Sequence, residues 1–169
     1  MKLIVHRRRL LLLAFPAALA GCGFRLRGTP SFAFSTIVLN GPENSALLNE
    51  LRQTIAAGGN VRVLPAGTPP EQAQVVLELL TAQREKVVVG LSASGQVREF
   101  QLRIRLRFRL RTPQGKELIP ETELLQQRDI SYTESAALSK EAEENLLYRD
   151  MQSDLVQQLM RRLAAIKSL

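Results

Sequence analysis

Tryptophan is absent from this 169-residue chain, aromatic residues make up 5%, and there is one cysteine, Cys22, and one histidine, His6. A lone cysteine excludes an internal disulfide, so folding rests on an apolar core, which a hydrophobic content of 45% can supply. Zinc chemistry would have to be built almost without its usual nitrogen and sulfur ligands, and thiol–imidazole catalysis has no partners to draw on. Few aromatics are interleaved with the basic residues, which leaves little for base stacking. Beyond Leu10–Ala20 no apolar run approaches the ~20 residues of a membrane-spanning helix. Two carboxylate pairs, Glu121 with Glu123 and Glu141 with Glu144, resemble a glycosidase arrangement, but the first belongs to a polar strand face and the second to a solvated helix end. The expectation is a protein that is not an enzyme, with no catalytic residue, no metal, no cofactor and no nucleic-acid partner.

The N-terminus has a secretory layout. Lys2, Arg7, Arg8 and Arg9 precede the eleven apolar residues Leu10–Ala20, and Leu19-Ala20-Gly21-Cys22 has the pattern of a bacterial lipobox, which places Cys22 as the lipidation site. Gly23 follows in place of the aspartate that holds such lipoproteins in the inner membrane. The expected location is therefore the outer membrane, with the protein lipid-anchored and several acyl chains on one residue giving a stable hold. Removing residues 1–21 takes four basic residues away, leaving 19 basic against 16 acidic residues, a net charge of +3. The high isoelectric point thus belongs partly to the leader, and net charge gives no reason to expect a nucleic acid. The expected organisation is a cleaved signal peptide over 1–21, a lipidated tether over 22–34 and a single domain over 35–169.

Within that domain, Thr36–Leu39 reads as a strand ended by Asn40-Gly41-Pro42. Leu47, Leu48, Leu51 and Ile55 recur at helical spacing after a cap at Asn44 or Ser45, and Gly58-Gly59 ends that helix. Val61–Leu64 is a short strand. Val75–Val89 is a long extended segment, GLSASG at 90–95 turns the chain, and a second long strand follows to Thr112. Pro113-Gln114-Gly115-Lys116 makes the next turn, and Leu118–Thr133 returns with a Pro120 that signals a bulge or an edge. A last helix is expected from Lys140, capped by Ser139, with Glu141, Glu143 and Glu144 in its first turns, Arg161, Arg162 and Lys167 in its last, and Leu147, Met151, Leu155, Leu159 and Leu163 along one face. The fold class is α+β: two helices on one face of a small, largely antiparallel sheet, a two-layer sandwich.

The middle strand is the most informative stretch. In FQLRIRLRFRLR, residues 100–111, Arg103, Arg105, Arg107, Arg109 and Arg111 alternate with Leu102, Ile104, Leu106, Phe108 and Leu110. A period of two gives one apolar and one cationic face. With the helices on the apolar face, the arginines point outward. Three readings of that face stay open: binding phosphates of an anionic ligand, pairing with a partner protein, or solvation of an amphipathic strand that the charges keep from aggregating.

Several motifs in order carry a family resemblance. Cys22-Gly23-Phe24-Arg25-Leu26-Arg27-Gly28 after a lipobox, Gly95 before Glu99-Phe100, the alternating strand, Arg128-Asp129-Ile130-Ser131-Tyr132, and Ala137-Leu138-Ser139-Lys140 ahead of the last helix resemble the LptE family of lipopolysaccharide-assembly lipoproteins. The similarity spans the whole chain after the leader. It implies two helices on one side of a small mixed sheet, and a lipoprotein that plugs and scaffolds an LptD-like outer-membrane β-barrel while lipopolysaccharide is assembled into the outer leaflet. It also implies ligand contact through basic residues near the strand turn and before the last helix. Lys140 fits the second position. At the first this chain has Ala93-Ser94-Gly95, and Arg98, across the turn, is the substitute. The alternative from the residues alone is a periplasm-facing lipoprotein that binds another anionic polymer of the cell envelope.

Overall fold

The computed structural model describes residues 31–169, so the leader, Cys22 and most of the expected tether lie outside the described residues. Five strands form one sheet: β1 (Thr36–Asn40), β2 (Arg62–Val63), β3 (Val75–Leu91), β4 (Val97–Arg111) and β5 (Glu117–Ser131), in the spatial order β2-β1-β3-β4-β5. β1 runs parallel to both its neighbours, and β3, β4 and β5 form an antiparallel meander. Two helices, α1 (Ala46–Ala57) and α2 (Ala137–Ala164), cover one face. The sandwich anticipated from the alternation is the one formed.

Packing follows from the alternation on β4. Leu102, Leu106, Phe108 and Leu110 are fully buried, and they meet Met151, Leu155, Leu159 and Leu163 of α2 and Leu51 and Ile55 of α1 in a single core. Each such side chain gains about 1.5 to 3 kcal/mol from leaving water. Phe34 is already in this core and Phe32 packs against it. Where β1 hands over to α1, a Cβ on Gly41 would stand 2.8 Å from the Cβ of Leu79, so the chain can pass that close only without a side chain.

Several bulges shape the sheet, including slips near the β3–β4 turn between Val88, Gly90 and Leu91. Between Leu79 and Thr81 the pairing with β4 slips by one residue, leaving Leu80 extra on β3. β5 carries a further irregularity where Ile119 pairs Leu110 and Thr122 pairs Phe108, around Pro120, and it is also an edge strand. The turns between the long strands place Gly95 and Gly115 at φ 79° and 93°, where a Cβ would be strained.

Ser45 caps α1, its hydroxyl accepting from the amide of Leu48 at 3.3 Å. The start of α2 differs from the sequence reading. A 3-10 turn over Glu134–Ala136 leads straight into a helix that begins at Ala137, and Ser139 lies inside its first turn, donating its hydroxyl hydrogen to the carbonyl of Ala136 at 2.8 Å. Ser139 is therefore not a cap, because its oxygen is turned back as a donor. The first turn holds no acidic residue, and Glu141, Glu143 and Glu144 follow it. Among the described residues no helix is long and apolar enough to cross a membrane.

Candidate functional site

The sheet face away from the helices holds the arginines, and their partners are the protein's own carboxylates. Arg105 lies 2.6 Å from Glu123 on β5 and 3.6 Å from Glu85 on β3, so one guanidinium joins three strands. Arg107 pairs with Glu121 at 2.9 Å, and Arg109 and Arg111 both hydrogen-bond Glu78. Arg103 donates to the side-chain oxygen of Gln101 at 2.7 Å. Four of the five arginines are thus matched by carboxylates, an arrangement the three readings of the sequence did not include. Burial alone would raise the pKa of Glu78; hydrogen bonds and charge from Arg111 and Arg109 outweigh it and hold the carboxyl below its ordinary value. The hydrogen bond and charge of Glu123, with Glu85 behind them, raise the pKa of Arg105.

Lys140 lies elsewhere, at the end of the sheet near the β3–β4 turn. There a cleft of 340 Å³ is lined by Lys86, Phe100, Ile130, Ser131, Tyr132 and residues of the first turns of α2, Lys140 and Glu144 among them. Phe100 and Tyr132 meet edge to face, with ring centres 5.2 Å apart, and form the aromatic wall. Lys86 reaches the cleft from β3 with its ammonium 4.4 Å from the centre of the Phe100 ring and 2.6 Å from Glu144. Lys140 donates to Ser131 at 3.1 Å and to Glu143 at 2.8 Å. Exposed apolar side chains neighbour the lining residues: Val88, the pairing partner of Phe100, is 46% exposed, and Leu138, next to Ala137 in sequence, is 86% exposed. Arg98 is exposed close by, its carbonyl accepting from the amide of Tyr132 at 2.8 Å.

The second cation in the cleft is therefore Lys86, which sequence reasoning missed. On β3, Leu77 and Leu79 face the helices, and a strict period of two would turn Lys86 to the opposite side. The extra residue at Leu80 reverses the phase, so that Ala82, Arg84 and Lys86 pair with Leu106, Ile104 and Leu102 on the helix face. A bulge of this kind leaves no mark in hydropathy alone. On the same face Arg84 lies over Tyr148 at 5.1 Å, and Arg128 pairs with Asp154 at 3.1 Å.

The cleft and the start of the described chain are at opposite ends of the molecule. β1 enters beside the end of β4, since Ile37 pairs Val75 and Val76 pairs Arg111. β4 starts beside the cleft and runs its 15 residues to this end, a span of about 50 Å.

A family model described as "LptE: Lipopolysaccharide-assembly" matches residues 34–163. The LPS-assembly lipoprotein LptE of Pectobacterium atrosepticum is 29% identical over 154 residues, covering 87% of this chain and 79% of that protein. Its namesake in Photorhabdus laumondii is 28% identical over 167 residues, covering 95% and 87%. Among solved structures, lipoprotein B of Nitrosomonas europaea superposes with a TM-score of 0.72 at 33% identity, covering 85% of this chain and 91% of that one. Rare lipoprotein B of Shewanella oneidensis shares the fold, with a TM-score of 0.65 at 22% identity over 78% of this chain and 95% of its own.

Proposed function

Because this chain belongs to the LptE lipopolysaccharide-assembly family, we propose that it is a lipid-anchored plug and scaffold of an LptD-like outer-membrane β-barrel, and that its cleft receives the phosphorylated headgroup of lipopolysaccharide. Its function is that of a lipopolysaccharide-assembly lipoprotein, a binding and assembly role with no chemical step. Cys22 carries the anchor, which holds the protein to the outer membrane.

The observation that carries the ligand reading is the convergence of Lys86 and Lys140 from separate elements on one cleft with an aromatic wall. Ammonium groups suit phosphate as point charges. The exposed Val88 and Leu138 offer apolar surface to the acyl part of the same molecule. The ladder Arg103, Arg105, Arg107, Arg109 and Arg111 suits the partner better than the ligand. Its charges are largely balanced by Glu78, Glu85, Glu121 and Glu123, and a polar, balanced surface matches the polar interior of a barrel.

The test is titration of purified lipopolysaccharide into the full lipoprotein in detergent. Lys86→Gln with Lys140→Gln should weaken binding on the order of ten-fold, the loss expected for two charge-assisted contacts that are partly exposed. Arg105→Gln with Arg107→Gln should leave ligand affinity unchanged and lower co-purification with the barrel. The reverse pattern would move the ligand to the arginine face.

A further inference from the structure

Both cations of the cleft are already occupied. Lys86 is held by Glu144 at 2.6 Å and Lys140 by Glu143 at 2.8 Å. Each ammonium keeps a free donor, but a phosphate that approaches Lys86 or Lys140 also approaches the carboxylate already beside it, and the like-charge repulsion makes exchange with the glutamates the favourable route. Holding the helix to the sheet accounts for only part of this. Lys140 and Glu143 lie three residues apart on the same helix, so their pair ties nothing to the sheet, and Lys140 already reaches across through Ser131.

We propose that Glu143 and Glu144 are built-in competitors for the phosphates of the ligand, and that they set the specificity and reversibility of the cleft. This rests on the reading of the cleft as the lipopolysaccharide site. In the exchange Lys86 keeps its contact with Phe100 while Glu144 swings to water, and Lys140 keeps Ser131 while Glu143, 47% exposed, is released. A ligand with one weak anionic group cannot displace two carboxylates at once, whereas one with two phosphates meets both lysines together. The return of the glutamates speeds release, which suits a protein that hands its ligand on.

The experiment titrates purified lipopolysaccharide, and separately its monophosphoryl form, into the full lipoprotein in detergent at fixed salt. Exposed ion pairs compete weakly, so Glu143→Gln with Glu144→Gln should tighten binding about four- to ten-fold, mostly through a slower off-rate. The gain should be larger for the monophosphoryl ligand, which narrows discrimination between the two. Glu144→Asp keeps the charge and draws it back by one methylene, and should fall between wild type and the double variant. Unchanged or weaker binding by the double glutamate variant overturns the proposal, whether or not its thermal midpoint has dropped. If Lys86→Gln with Lys140→Gln still weakens binding in that case, the cleft remains the ligand site and only the competition is lost. If the lysine changes also have no effect, both readings fall together.

Discussion

The hydroxyl of Tyr148 on α2 donates to the main-chain carbonyl of Glu85 on β3 at 2.7 Å. That bond reaches the sheet beyond the Leu80 bulge, next to Lys86, so it fixes the helix at the edge of the cleft. Burial, reinforced by the charge of Glu144, raises the pKa of the phenol, with Arg84 opposing. Tyr148→Phe should cost about 0.5 to 1.5 kcal/mol in denaturant unfolding, the net value of one hydrogen bond. With the folded pKa raised, the stabilisation is complete below 10.0, the ordinary tyrosine value, and is lost as pH rises through the folded one. The wild type should therefore lose more stability than Tyr148→Phe on going to high pH, and parallel curves would count against the bond.

Glu78 gives the opposite dependence. Its folded pKa is depressed by Arg111 and Arg109, so its contribution is present above the unfolded value of 4.5 and lost as pH falls through the folded value. Glu78→Gln should destabilise the protein at neutral pH, and its deficit should shrink as wild type and variant are taken through the acid range. A deficit that does not change with pH would mean that the two guanidiniums do not act on that carboxylate.

The two faces of β4 should respond very differently. Leu106 is fully buried, and Leu106→Gln places an amide among apolar side chains at a cost of about 3 kcal/mol or more. Arg107, 47% exposed in its side chain and paired with a half-exposed Glu121, should change stability by less than about 1 kcal/mol as Arg107→Gln. Chemical denaturation of both variants is the check, and similar losses would mean that the faces are not distinct.

On α2, Leu155→Ala and Leu159→Ala should each cost about 2 to 5 kcal/mol, since both side chains are fully buried. The exposed Gln157 should accept Ala within about 0.5 kcal/mol. Comparable small effects at all three positions would show that the helix is not docked as described.

Gly90 stands where a Cβ would come within 2.9 Å of the Cβ of Glu99 across the hairpin. Gly90→Val should therefore splay the end of β3 and β4. It is expected to raise hydrogen exchange at Val88 to Val97 while leaving the helix–sheet core protected. Uniform protection throughout would place the close approach elsewhere.

How much of this the sequence disclosed varies with the physics of each element. β4 was legible because its alternation is unbroken and its apolar half is the core. Pro120 signalled its bulge because proline cannot donate to the ladder. The start of α2 was misread because a serine that hydrogen-bonds backward looks, in sequence, like one that caps. Lys86 was hidden because an inserted residue at Leu80 changes which side of the sheet the residues after it face, as far as the next slip at Val88–Gly90. The carboxylate partners of the arginines were hidden because strand pairing, and with it the choice of opposite neighbour, depends on register. Glu121 and Glu123 were read as part of a polar strand face, and on that face they are the counterions of Arg107 and Arg105.

The Leu80 bulge also bears on how the chain folds. A β3–β4 pair this long has many alternative alignments that a growing hairpin can enter. Sliding β4 by one position would drive guanidinium groups into the apolar layer, so odd offsets are closed by desolvation. Sliding it by two keeps the faces and sets Arg107 or Arg111 opposite Glu78 in place of Arg109, so the charge ladder alone tolerates even offsets. The turn at residues 92–96, with Gly95 at φ 79°, is what selects among them, and the inserted Leu80 lets β3 exchange its faces without disturbing the alignment that the turn has set.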